Sequence, residues 1–308
     1  MIEFIQPSDN SPKWERELYD YFTERSNIDI DREHLYHYTS APGLEGIVKN
    51  RAIWMGHARY MNDTSELYYF RELLTDNIRR RMISDKSRDP SEALETMQEA
   101  CRQQDTNVFF TSLSESGDLL SQWRGYTGGK PGFSIGFPFK RLQTAAGHQN
   151  ARLAKVCYDE DEAKRVADTL ISSWITYFQT MRLGPAGALA SELSKAVSSI
   201  APLFKPPGFS EEAEWRIIKF LDLDDLEVRF RSTASTVIPY VHFTISDIVD
   251  KFDSRAAQEC CNPAHADLMN LIHAPGQETS IETTQALFWR SFRSCPMVES
   301  SKLTFKFN

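Results

Sequence analysis

The chain has 308 residues, 41% of them hydrophobic and 25% charged, with a formal net charge of -8. That size suits one large domain or two small ones, and buries enough apolar surface to need no metal or disulfide staple. The acidic balance excludes wrapping duplex DNA over a general basic face, but leaves room for a local basic pocket that holds a nucleotide.

In chain order, Trp14, Leu18, Tyr19 and Phe22 recur at helical spacing with charges between them. Residues 11–26 are therefore predicted as an amphipathic helix, opened by Ser11 and Pro12. The aromatic run LYHYT at 35–39 reads as a strand. SAPGLEGIVKN follows as a short helix capped by Ser40, with Leu44, Ile47 and Val48 on one face. RAIWMG at 51–56 is a second strand. NDTSELYYFRELLTDNIRRRMISD is a long helix begun by a cap at Asp63 or Thr64, with Glu66 in its first turn.

Residues 90–103 are expected to be helical, TNVFFTSLS at 106–114 a strand, and DLLSQWRGY a short helix or turn. PGFSIGFP at 131–138 and ARLAKVCYD at 151–159 are strands. Two helices fill 160–203, split near RLGPAG, and KPPGF at 205–209 is a loop. EAEWRIIKFL, LEVRFRS and VIPYVHFT are strand-like. A helical stretch near 264–272, a last helix at 280–293 and a terminal strand in SSKLTFKFN complete the chain. Strands and helices mix without regular βαβ alternation, which points to an α+β fold with mixed, largely antiparallel β-sheets. The organisation expected is an N-terminal helical extension over 1–33, then one domain over 34–308 with a helical insertion at about 160–205.

The five cysteines, Cys101, Cys157, Cys260, Cys261 and Cys295, form neither a CxxC pair nor a zinc spacing. An odd count without a secretory signal fits reduced thiols in a cytoplasm. No stretch reaches the roughly 18 apolar residues of a membrane helix. The expectation is a soluble cytoplasmic protein with no membrane contact and no bound metal; the pattern says nothing of its oligomeric state.

There is no GxxxxGK[ST], HExxH or GxSxG. GYTGGKPGFSIG is glycine-rich but lies between a short helix and a strand, the wrong order for a dinucleotide-binding βα turn, and reads as a glycine-containing hairpin or loop. His37 is the odd residue in an apolar strand. A lone histidine there is more often a satisfied core or surface residue than a catalytic one. The Thr39 and Ser40 that follow leave an imidazole and two hydroxyls toward one space.

ARYMNDTSE reads either as a capped strand-to-helix turn, or as a site in which Arg59 meets a phosphate and Tyr60 stacks. In SQWRGY, Trp123, Arg124 and Tyr126 suit a nucleotide's base and phosphate; equally, Trp123 can fill a core while Arg124 is solvated. In SEEAEWRIIKF, strand alternation puts Glu212, Glu214 and Arg216 on one face and Ala213, Trp215 and Ile217 on the other. That is a solvated charged face, or a carboxylate at a cleft edge that orients a ribose hydroxyl.

Taken in order, LYHYTS, IW and NDTSE, then FFTSLSE, LLSQWRGYTGG and GFSIGF, then EAEWRI and IHAPGQE resemble the bacterial domain-of-unknown-function family 2971 over most of residues 34–305. More loosely, HYTSAPGLEGIV is similar to the opening of the ADP-ribosyltransferase-like superfamily. That resemblance implies sheets split around a cleft with peripheral helices, and NAD as substrate. It implies that His37 holds the adenosine ribose, that Tyr60, or else Tyr126, stacks on nicotinamide, and that Glu214 promotes loss of nicotinamide. Tyr38, Thr39, Ser40, Arg59, Asn62, Ser112, Trp123 and Arg124 would complete the NAD contacts, with Arg59 or Arg124 against the pyrophosphate.

The activity so implied is an ADP-ribosyltransferase or NAD glycohydrolase, in the setting of a bacterial toxin or antiphage effector. Its acceptor would be a protein, a nucleic acid or water. Two other readings stand beside it. One is a nucleotide- or nucleic-acid-binding sensor module without catalysis. The other is a nuclease using His37 with Asp63 and Glu66.

Overall fold

Alternation and capping set most element boundaries. In the computed structural model, residues 7–8, 11–28, 33–61, 65–84, 88–102, 107–127, 129–180, 186–249, 269–293 and 295–304 are described. The chain runs α1 (Lys13–Ser26), β1 (His34–Thr39), α2 (Ala41–Asn50), β2 (Ala52–His57), α3 (Ser65–Ser84), α4 (Arg88–Arg102), β3 (Val108–Ser114) and α5 (Leu120–Tyr126). Then follow β4 (Phe133–Pro138), α6 (Phe139–His148), β5 (Arg152–Lys155), α7 (Glu160–Thr180), α8 (Ala186–Ile200), β6 (Glu214–Phe220), β7 (Arg229–Ser232) and β8 (Val237–Thr244). Last come α9 (Ser246–Val249), β9 (Asn270–His273), α10 (Ile281–Phe292) and β10 (Met297–Ser300).

The fold is α+β, with one connected, mostly antiparallel sheet rather than separate sheets. Its main path is β10-β9-β4-β1-β3-β2-β8-β7, and β6 joins β3 to β5 off that path. β9 and β10 pair in parallel. One edge of β3 is matched to β6 along its whole length, from Val108↔Phe220 to Ser114↔Glu214. The other edge is shared. β2 takes the start of β3 through Gly56↔Phe110 and His57↔Phe109, while β1 meets only its end, at Tyr36↔Ser114. β1 then runs off along β4 and β2 along β8, so the sheet forks at β3.

The main core fills the space between the arms. Leu35, Ile135, Phe137 and Leu271 come from one arm, and Ile53, Met55, Val241 and Phe243 from the other. α2, α6 and α10 add Leu44, Leu142 and Phe288 to it. A second core lies on the far face of β3, β5 and β6, where Phe110, Ala154 and Ile218 meet α1, α3, α4, α7 and α8. α1 is built into this layer. Trp14 meets Trp174 of α7 edge to face at 5.8 Å, and Arg25 donates to the carbonyls of Lys155 and Val156. The Trp174 indole N–H donates to the Ala93 carbonyl of α4 at 2.9 Å.

Three local expectations shift. Residues 270–272, expected at the end of a helical stretch near 264–272, belong to β9 between β4 and β10, while 264–268 lie outside the described residues. The strand expected in SSKLTFKFN is displaced to β10, Met297–Ser300; beyond it Asp118 accepts from the Ser301 hydroxyl and the Lys302 N–H, 301–304 carry no strand, and 305–308 lie outside the described residues. The KPPGF loop passes into a 3-10 helix over Pro207–Glu212. No helix of the described residues is long and apolar enough to cross a membrane.

Because Trp14 and Trp174 fill one core, each truncation to Ala should destabilise the protein by about 3–5 kcal/mol. The double variant should lose less than the sum, since the two rings pack on each other. Urea unfolding of the three variants measures both.

Candidate functional site

Ser112 sits on β3 where neither β1 nor β2 is registered opposite it. β2 pairs up to Phe110 and β1 only at Ser114. The His37 side chain takes up that opening, with Nδ1 3.1 Å from the Ser112 carbonyl. A carbonyl only accepts, so Nδ1 carries the proton and Nε2 presents a lone pair, the neutral tautomer of an acceptor imidazole. Burial lowers the pKa of His37, opposed in part by that hydrogen bond, which keeps the ring neutral at pH 7.

On the other edge of β3, Ser112 faces Arg216 and Ser114 faces Glu214. Both oxygens of Glu214 are occupied. Arg216 donates from Nε to Oε1 at 2.7 Å and from Nη2 to Oε2 at 3.0 Å, and Lys205 Nζ lies 3.2 Å from Oε2. Ser112, on the same face of β3 and diagonal to Glu214 across the ladder, further favours the ionised carboxylate. Lys205 lies 2.5 Å from Glu212, and Arg216 donates to the Pro202 carbonyl at 2.7 Å and covers the Phe110 ring.

Arg216 is 0% exposed, Lys205 1% and Glu214 3%. Two cations and two carboxylates thus balance in a nearly closed space, as buried charges require. Burial pushes the Glu214 pKa up. The charges of Arg216 and Lys205, the hydrogen bonds from Arg216 and the nearby Ser112 outweigh it, so the carboxyl is held below its ordinary value. Ala213 makes the geometry possible. Its left-handed φ of 42° ends the 3-10 helix and starts β6, so Glu212 and Glu214 reach one lysine.

Ser112 thus lies between the two: its carbonyl holds His37, and its side chain shares a face of the sheet with Glu214. The side chains of His37 and Glu214 nevertheless belong to opposite faces of the sheet. Glu214 shares a face with Ser114 and Tyr36, while His37 follows the Leu35 side.

The hydroxyls after His37 turn to α2. Ser40 accepts the Gly43 N–H as its N-cap at 3.3 Å, and Thr39 is buried where a Cβ at Gly43 would come 2.0 Å from its Oγ1. Tyr38 points to the outer face of β1. Its ring meets Trp123 edge to face at 4.7 Å, and its hydroxyl donates to Ser116 and accepts from Leu119. Trp123 is a core residue, fully buried, with its indole N–H on Asp118. Arg124 and Tyr126 lie exposed on the same short helix.

Tyr60 and Arg59 stand apart from Glu214. Both are exposed, and Tyr60 packs on His57, which is registered with Phe109. Phe109 lies five positions from Ser114 on β3, about 17 Å along a strand. A ring at Tyr60 and the carboxylate of Glu214 thus occupy opposite ends of β3. Asn62, Asp63 and Thr64 lie outside the described residues, as does the side chain of Glu66.

Lys205 is the cluster member outside the charged stretch singled out in the sequence, and Glu212 reaches the cluster from the 3-10 helix rather than from β6. The signal for Lys205 was one cation inside the apolar run IAPLFKPPGF, a placement that demands a buried counter-charge.

Glu214→Gln should cost about 3–5 kcal/mol in denaturant unfolding, because it leaves Arg216 and Lys205 buried and undercompensated. Acid should destabilise the protein in two windows. His37, His242 and His273 have lowered pKa values, so their contribution is complete above about pH 6.5 and falls as pH drops below it. Glu214, also lowered, contributes above about pH 4.3 and loses that contribution as pH falls through its folded pKa. Melting temperatures across pH 3–8 for the wild type and His37→Asn separate the windows; the variant should flatten part of the upper one.

Residues 122–217 match the model of the family described as Protein of unknown function (DUF2971). The matched stretch runs from Gln122, beside the buried Trp123, to Ile217 of β6. It includes Lys205, Glu212, Glu214 and Arg216, but not His37 or Ser112. No curated protein and no solved structure matches the chain. What the comparisons support is thus the family resemblance over α5 to β6, with the buried ion cluster inside it.

Proposed function

We propose that the fork at β3 is a nucleotide site, which holds the ribose of NAD or ADP-ribose by a hydroxyl donated to His37 Nε2. The observation that supports this is the anchoring of Nδ1 on the Ser112 carbonyl. It orients the ring and commits Nε2 to accepting, as recognition of a hydroxyl requires.

Of the activities the resemblance implies, binding without turnover fits the geometry better than cleavage. A carboxylate that stabilises an oxocarbenium ion must face the substrate. Both oxygens of Glu214 are held by Arg216 and Lys205. One observation favours the transferase or glycohydrolase reading: Ser112, whose carbonyl anchors His37, shares a face of the sheet with the nearby Glu214. In that reading the bond from ribose C1′ to the nicotinamide nitrogen breaks, and its electron pair neutralises the ring as nicotinamide leaves. A protein, nucleic acid or water acceptor then attacks C1′ and loses a proton.

ADP-ribose at a hundred times its Kd should stabilise the protein by about 2.7 kcal/mol, read as a rise in melting temperature. His37→Ala should abolish the rise while the unliganded protein stays folded. Incubation with NAD should leave nicotinamide bound to the dinucleotide. Nicotinamide release would establish the transferase or glycohydrolase reading, and no stabilisation by either ligand would sink the site.

A further inference from the structure

The helical layer under β3, β5 and β6 includes no residue of β7 or β8 among those described. Beyond it the sheet carries a different composition. Cross-strand register sets Trp54 opposite His242 and Tyr240 opposite Arg229, so these four side chains share one face. Arg231, two positions along β7, joins them. The rings form a continuous row. Trp54 and Tyr240 lie 4.6 Å apart at 38°, and Tyr240 and His242 5.5 Å apart at 46°. The Arg231 guanidinium sits over the Trp54 ring at 5.8 Å.

This face is open to solvent at Trp54 and along β7, with Tyr240 and His242 half-buried between them. Trp54 is 42% exposed, and Arg229 and Arg231 are exposed along β7, the last strand of the sheet path. Glu227, just before Arg229, is engaged by Lys219 at 2.6 Å and does not neutralise the pair. In a chain of net charge -8, two guanidiniums concentrated on an aromatic row select locally for an anion. Burial and the Arg229 charge lower the pKa of His242, so it joins the row as a neutral ring.

Planar rings with arginines at their margin match a ligand that repeats a flat base and a phosphate. An apolar partner would leave the guanidiniums without counter-charge, and a duplex hides its base faces. We propose that the open face of β2, β8 and β7 binds single-stranded nucleic acid, with Trp54 and Tyr240 stacking on bases while Arg229 and Arg231 hold the phosphates. This site is separate from the fork at His37 and does not rest on the reading given to it.

The test is fluorescence anisotropy of the full chain with labelled oligo-dT and oligo-U of about 12 nucleotides, against a hairpin duplex, over a range of salt. Single strands should bind, and more tightly than the duplex. Trp54→Ala should weaken binding about ten- to hundredfold, the effect of one stacked base, while Trp54→Phe keeps it within a few-fold. Arg229→Ala with Arg231→Ala should reduce the salt slope by about 0.7 for each phosphate no longer neutralised. Circular dichroism and melting temperature confirm that each variant is folded. The proposal is overturned if the wild type binds no single strand, if the hairpin binds as tightly, or if Trp54→Ala and the arginine pair bind like the wild type. The last outcome would also describe a partner that pairs with the β7 backbone alone.

Discussion

A strand edge offers its backbone groups to one neighbour at a time, and β3 has two claimants for the same edge. β2 takes its beginning and β1 its end, so the residues between are registered with neither. Every larger feature follows. The two claimants diverge with β4 and β8, both arms contribute to the main core, and the uncommitted Ser112 carbonyl is left for a side chain to satisfy. A buried carbonyl without a donor is unfavourable. His37 supplies the donor from a position where Val or Ile would supply none.

On its other edge β3 is fully paired to β6, and that regularity organises the charges. Strand alternation sends Glu214 and Arg216 to one side and Trp215 and Ile217 to the other. The polar side would be intolerable against the helical layer without compensation. Lys205 and Glu212 supply it from the segment that precedes β6, and the Phe110 and Phe209 rings lie against Arg216 and Lys205. Such a cluster contributes little net stability compared with an apolar filling, but it penalises heavily any arrangement that separates its members. It thereby ties the segment after α8 to β6 in one register.

Much of the fold was legible because it rests on short-range chemistry. The Ser40 cap, the amphipathic α1, the alternation in β6 and β8, and the α10 boundary are each written within a few residues of where they act. The site depends on contacts between distant segments. Trp123 and Arg124 are neighbours in sequence, yet one is fully buried under Tyr38 and the other is exposed, which a motif of both cannot express. Tyr60 looked like a partner for Glu214, but β2 delivers it to the opposite end of β3. Lys205 sat in what read as a loop, because its counter-charges become visible only once β6 is placed.

By itself the sequence determined the α+β class, the positions of most helices and strands, and the residue types able to meet a ribose, a phosphate or a base. Those depend on periodicity, capping and side-chain chemistry, which are local. Only the tertiary structure decided that β1 and β2 share an edge, that Glu214 is enclosed by two cations, and that Trp54, Tyr240 and two arginines from three strands lie on one open face. Those are matters of register between distant segments. Register is set by how whole arms of the sheet bury their apolar faces, which no single stretch of the chain records.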